Sequence, residues 1–341
     1  MKRIATISTC LVIIAILVES LAYADLSVHY IDVGQGDAAL IICDGKAMLV
    51  DGGPTSASQL IYSYLRQHVT SLEYIIATHP HEDHIGGLAA ALNAVPVEII
   101  FSPVETWNNG SFMDIAIYAD MLGTPIIVPN EGDYFHLGDA VVTILHCWPE
   151  AWDENDMSIV ARIDYGNTSF LFTGDAEDIS EYMMVDSGMP LQADVLKVGH
   201  HGSHSSTTKE FVSNVMPKYA VISCGAENSY GHPHEETLQN LQGIEVLRTD
   251  QLGTIVFHTD GTTLSYKTER IKKAAPFPEK GPAETAIPET EAAYVGNKNS
   301  MKFHYPNCSG AQSMKSKNKV YFSSREEAIN QGYLPCGKCE P

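Results

Sequence analysis

The residues best able to do chemistry lie in one short run. Thr78-His79-Pro80-His81-Glu82-Asp83-His84 puts three imidazoles and two carboxylates into seven positions. Donors at this density suit Zn²⁺, Mn²⁺ or Fe²⁺, which take imidazole and carboxylate ligands. Three other apolar runs end in a comparable way. Asp51 closes MLVD, Asp175 closes LFTGD, and His200-His201-Gly202-Ser203-His204 follows LKVG. A lone Asp after a strand is more often a turn or helix cap than a ligand. Four such ends aimed at one cluster would instead make a metal centre at a sheet edge. A second donor set lies in the tail, where His304-x3-Cys308 and Cys336-x2-Cys339 have the pair-and-pair spacing of a structural zinc site. A disulfide between two of the three tail cysteines is the competing reading, and it leaves one thiol unpaired.

These residues need strands and helices to hold them. Runs rich in Val, Ile and aromatics at 26–32, 38–43, 47–50, 74–78, 98–102, 126–129, 140–145, 158–165, 169–173, 193–198, 219–223 and 254–258 predict strands. Helical spacing appears at 56–68, 86–93, 113–122, 179–187, 208–215 and 235–242. This alternation implies a layered α/β architecture. Cys43, Cys147 and Cys224 sit singly in apolar stretches and read as small core residues.

Of 341 residues, 42 are acidic and 21 basic, for a net charge of -21. That argues against coating nucleic acid through a general basic surface. The charge is segregated, because residues from 294 onward carry 7 basic and 3 acidic side chains. Residues 1–24, with Met1-Lys2-Arg3, an apolar run and Ala22-Tyr23-Ala24, read as a secretory signal peptide. The expected product is secreted and without stable membrane association. The body spans 25–271. A Pro-, Ala- and Glu-rich linker follows at 272–293, and a small domain fills 294–341, too short to bury much core without a metal staple.

Seven motifs in order resemble the metallo-β-lactamase superfamily, in the branch of ComEC-type competence proteins, over about residues 26–266. They are HYIDVGQGD at 29–37, VDGG at 50–53, the His loop, NDMS at 155–158, FTGDAE at 172–177, KVGHHGS at 197–203 and YGHP at 230–233. The resemblance implies an αββα sandwich with two divalent ions, Zn²⁺ or Mn²⁺, at one edge. It implies His79 and His81 on one ion, Asp83 and His84 on the other, Asp175 bridging, and one of His200 and His201 completing the second. Neighbours at a strand end face opposite ways, and the sequence does not decide between these two. Asp51 and Asp32 are expected to brace the ligands by hydrogen bonds. Many superfamily members supply another histidine to the first ion. Here that interval offers only His136 and His146, with 155–158 in the matching place. The tail resembles the Ada-type metal-binding domain, with His304 where the family has its first cysteine.

A water between two cations would lose its proton near neutral pH and attack phosphorus or a carbonyl carbon. Asp83, His201 and His232 are the expected catalytic groups, and Lys197, Ser203 and His204 the expected substrate contacts. The combined expectation is a secreted nuclease or phosphodiesterase acting on DNA, with a zinc-stapled basic tail. The alternatives are a metallo-hydrolase of a small ester, lactone, β-lactam or phosphorylcholine substrate, and a non-catalytic DNA-binding protein.

Overall fold

The computed structural model describes residues 25–270, 293–300, 302–330, 333–336 and 338–339. The expected signal peptide and all of the expected linker except Ala293 lie outside them. The chain divides into two units, residues 1–272 and 273–341.

In the first unit, β1 (Leu26–Tyr30), β2 (Ala38–Cys43), β3 (Lys46–Gly52), β4 (Leu72–Ile76), β5 (Val97–Phe101) and β6 (Ile126–Ile127) belong to one sheet. A second sheet contains β7 (Tyr134–Leu137), β8 (Ala140–His146), β9 (Val160–Tyr165), β10 (Thr168–Phe172), β11 (Val195–Lys197), β12 (Tyr219–Ile222) and β13 (Glu245–Arg248). The chain then returns to the first sheet as β14 (Ile255–Thr259) and β15 (Leu264–Thr268), giving the order β15-β14-β1-β2-β3-β4-β5-β6. Pairing is parallel from β3 to β6 and from β10 to β13. Parallel strands covered on both faces read as unbroken apolar runs, which is why these segments were legible.

Alternation within a strand divides the core. In β3, Met48 and Val50 join Ile144, Phe170 and Phe257 between the sheets, whereas Ala47 and Leu49 join the layer under the helices. That outer layer is covered by α1 (Ser58–His68), the short α2 (Glu82–Ile85), α3 (Leu88–Ala94) and α4 (Gly110–Leu122), which bury Ile61, Ile85, Leu88 and Phe112 in it. The second sheet is covered by α5 (Asp178–Ser187), α6 (Lys209–Val215) and α7 (Glu235–Asn240), with Met184 and Phe211 buried against it. The result is a helix-sheet-sheet-helix sandwich. The parallel strands β3, β4, β10 and β11 all end toward one rim, where open α/β sheets place ligands. No helix among the described residues is long and apolar enough to cross a membrane.

The second unit is a four-stranded sheet ordered β18-β16-β17-β19, formed by β16 (Tyr294–Asn297), β17 (Lys302–His304), β18 (Lys319–Phe322) and β19 (Leu334–Pro335). Phe303, Phe322, Ala328 and Tyr333 make its small core.

Candidate metal centre

Asp51, near the end of β3, begins the site. It adopts a left-handed φ of 56°. Its carboxylate accepts hydrogen bonds from the Thr78 amide (2.8 Å) and the Thr78 hydroxyl (2.7 Å), and it lies 2.8 Å from His84 Nδ1. This fixes the His loop and leaves Nε2 of His84 pointing inward. His201 is held in the same manner, with Nδ1 3.0 Å from the Ser223 carbonyl at the end of β12. An outer partner on Nδ1 of each ring leaves the Nε2 lone pair for the centre.

The inward-facing atoms converge. Nε2 of His84 and Nε2 of His201 are 3.3 Å apart, and they lie 3.2 and 3.4 Å from Asp175 Oδ2. Asp83 Oδ2 is 3.1 Å from the same His201 nitrogen. Donors around one ion at about 2.0–2.1 Å stand about 3.3 Å from one another, and the His84, His201 and Asp175 separations match that edge. A second set adjoins it: His79 Nε2 and His81 Nδ1 are 3.0 Å apart, and His79 Nε2 is 3.9 Å from Asp175 Oδ2. Asp175 Oδ1 is buried with no hydrogen-bond partner, as a carboxylate oxygen kept for an ion would be.

The charges of the metal-free cluster point the same way. Burial by itself would lower both His84 and His201. The Asp175 and Asp51 carboxylates instead hold His84 well above the usual range, and Asp175 and Asp37 raise His201 to about 9. Burial opposes ionisation of Asp175 and Asp83, but the facing histidines draw both carboxyls below the usual range.

Two glycines permit these approaches. A Cβ on Gly174, whose φ is 52°, would stand 2.8 Å from Ser158 Oγ and 3.0 Å from Thr78 Cβ. A Cβ on Gly36 would collide with the Asp83 carbonyl. His200 and His201 both have left-handed backbones, with φ of 45° and 54°, in a turn at Gly199–Gly202. That strained turn, and not strand alternation, separates them: His201 enters the cluster, while His200 turns its Nδ1 to Glu177 (3.0 Å) and Ser205 (3.2 Å).

An open cleft of about 540 Å³ lies over the cluster, lined by residues that include His81, Asp83, Asp175, His200, His201 and His232. His232 Nδ1 is buried without a partner. Burial, then His201 and His200, lower the His232 pKa to about 4.

Several expected residues lie elsewhere. Lys197 is buried at the end of β11, paired with Asp37 and donating to the Gly174 carbonyl (3.3 Å), so it cannot meet substrate. The second sheet is covered on both faces, which leaves this strand position no solvent side. Ser203 is buried and bonded to Ser205, and exposed His204 stacks on His234 with ring centroids 4.7 Å apart. Neither lines the cleft. Asp32 pairs with Arg270 (2.8 Å) and caps its own turn at Gly34, away from the ligands.

Sequence reasoning quoted Asp37 only within HYIDVGQGD and gave it no site role, yet it completes a buried four-residue donor group with His84, Asp175 and His201. It follows a loop and not a strand end. Its place depends on its amide donating to the Asp83 carbonyl (3.1 Å), a contact no local pattern reveals. Asn155, in the stretch expected to replace the missing histidine, lines the cleft with its Oδ1 buried and unpartnered.

Residues 31–226 match the sequence profile of the metallo-beta-lactamase superfamily. The chain belongs to that superfamily. Within it, ComE operon protein 3 of Bacillus subtilis is 32% identical over 272 residues, covering 73% of this chain and 35% of that protein. Recombination protein 2 of Haemophilus influenzae is 32% identical over 231 residues, covering 66% and 28%. Competence protein ComA of Neisseria gonorrhoeae is 28% identical over 249 residues, covering 66% and 31%. The chain thus spans about a third of the length of these curated relatives.

Residues 288–341 match the metal binding domain of Ada. There, ligand atoms of His304, Cys308, Cys336 and Cys339 all lie within 4.8 Å of one another. Cys308 Sγ is 3.5 Å from His304 Nδ1. Zinc bonded to sulfur at about 2.3 Å and nitrogen at about 2.0 Å sets such an edge near 3.5 Å. All six described cysteines are unbridged, and Cys43, Cys147 and Cys224 are buried.

Proposed function

We propose that this superfamily metallo-hydrolase is a secreted phosphodiesterase that cleaves DNA. One observation carries the reading: two donor sets share Asp175 at the floor of an open cleft. His79, His81 and Asp175 would hold one divalent cation, Zn²⁺ or Mn²⁺, and Asp83, His84, His201 and Asp175 the other. Bound there, such ions supply an activated water at neutral pH and counter-charge for a developing oxyanion. The remaining work falls to the chain itself. Asp83 and His201 are committed to the donor set. His232, with its pKa lowered to about 4, is neutral at pH 7 and so is not the general acid. His200, braced by Glu177 with its Nε2 3.8 Å from Asp175 Oδ2, is the imidazole placed to protonate a leaving alkoxide.

DNA is favoured by the relatives named for competence and recombination, and by the positive tail with its Ada-type donor set, whose four residues would hold a structural zinc. Secretion rests on the basic-apolar-small pattern of residues 1–24. A second reading, hydrolysis of a compact ester, is favoured by a cleft lining without Lys or Arg among the described residues. The experiment is to load the purified protein with Zn²⁺ or Mn²⁺ and offer plasmid DNA, bis-p-nitrophenyl phosphate and p-nitrophenyl acetate, beside His81→Ala. Metal-dependent cleavage of both phosphodiesters, lost in the variant, is expected. Cleavage of the acetate alone would replace this reading with the second.

A further inference from the structure

Among the described residues, none that lines this cleft is basic, so a polyanion there is held by other means. Gln35, Pro54, Glu82 and Asn155 are among the residues around the cluster, and no lining residue is Lys or Arg. Lys197 is buried and committed to Asp37. Duplex DNA is gripped mainly by Lys and Arg on its phosphates, and nothing in this lining provides that.

The cleft offers an aromatic surface instead. Tyr230 is 65% exposed and lies on the ring of His232, with centroids 5.5 Å apart and planes at 22°. Both residues line the cleft. His232 in turn meets His200 edge-on at 5.6 Å, so the rings lead from the solvent toward the donor cluster.

The loop that carries them is braced. Asn228 accepts from the His232 amide (2.9 Å) and donates to the carbonyls of His232 (2.7 Å) and Gly225 (2.8 Å). The His234 amide donates to the Gly202 carbonyl (2.9 Å), tying the loop to the turn that holds His200 and His201. A pre-positioned tyrosine gives contact area at low entropic cost. Every base has a π-face, so stacking supplies affinity without a cation, but only to a base whose faces are free.

We propose that Tyr230, backed by His232, is a stacking platform for one unpaired nucleobase beside the scissile phosphodiester, so that the site takes single-stranded DNA in preference to duplex. The proposal rests on the phosphodiesterase reading and names the form of substrate the site selects.

The test uses the full-length Mn²⁺-loaded protein, its Tyr230→Ala and Tyr230→Phe variants, and a labelled oligonucleotide in which one abasic position is moved along the strand. In the wild type, an abasic position beside the cleaved bond should lower kcat/KM roughly tenfold or more, from the usual strength of base-aromatic stacking. In Tyr230→Ala the ratio of intact to abasic rates should approach one, and Tyr230→Phe should keep it. Annealing a complementary strand should slow the wild type. A 2-aminopurine at the same position should be quenched on binding the wild type and not Tyr230→Ala. An unchanged intact-to-abasic ratio in Tyr230→Ala, or duplex cut as fast as single strand, would overturn the proposal. Quenching by the wild type with no oligonucleotide cleaved would keep the platform and sink the phosphodiesterase reading. Cleavage with an unchanged ratio would do the reverse.

Discussion

At the scale of single residues, Asp51 serves three polar groups and stands outside the lining of the open cleft. Its two oxygens meet the Thr78 amide, the Thr78 hydroxyl and His84 Nδ1. In Asp51→Asn an amide N–H must oppose one of these donors, so His84 loses its fixed orientation. Such outer partners of a metal-bound histidine are worth about 10–100-fold in affinity, and chelator competition should show a loss of that size with far-UV CD retained. The metal-free cluster also stores protons. With His201 raised to about 9 and His84 held high, uptake of a dication at pH 8 should release about one proton or more, and affinity should weaken as pH falls. Calorimetry in buffers of different ionisation enthalpy counts that release, and none would mean the two rings are neutral. Behind the cluster, Lys197→Met would take the ammonium from the buried Asp37 carboxylate and leave it only the His201 and His84 rings. Breaking a buried pair costs about 3–5 kcal/mol, read as a clear fall in Tm.

At the scale of elements, Glu181 ties α5 to the segment entering α6, its carboxylate accepting the amides of Thr207 and Thr208 (2.8 Å for Thr208). Burial raises its pKa to about 7 against the two amides, which favour the charged form. Between about 4.5 and 7 the native state keeps a proton that the unfolded chain has released, so stability falls as pH rises through that window. Thermal melts of metal-free Glu181→Gln should lose this slope relative to the wild type. They should also lie lower by about 1–2 kcal/mol, because one amide donor goes unmet. Identical slopes would mean Glu181 titrates normally. The buried parallel strands β3, β4, β10 and β11 were readable because each is an apolar run closed by a polar residue. Strands β7, β13 and β15 were not. All three lie at sheet edges, where runs such as YFHL, EVLR and LSYKT expose alternate positions and carry too few apolar residues to signal burial. The His loop, Asp175 and the tail tetrad were legible from residue type and spacing. Asp37 and Tyr230 were visible only as members of HYIDVGQGD and YGHP, with no role assigned, because the first depends on a contact across the fold and the second on which loop roofs the cleft.

At the scale of the molecule, a strongly acidic body and linker are joined to a tail with 7 basic and 3 acidic residues. If the tail gathers DNA, replacing exposed Lys302, Lys315 and Lys317 with Gln should weaken binding and reduce the salt slope by up to about 2, with cleavage of short diesters retained. Fluorescence anisotropy across a salt series measures both, and an unchanged slope would remove the tail from binding. The two sheets carry a separate consequence. His84 and His201, 117 positions apart, come from opposite layers, as do Asp83 and Asp175. Neither layer holds a complete ligand set, so competence arises only when the sandwich has closed. An unfinished or damaged copy therefore cannot assemble the donor cluster, and any chemistry of that cluster waits until the chain has been built correctly.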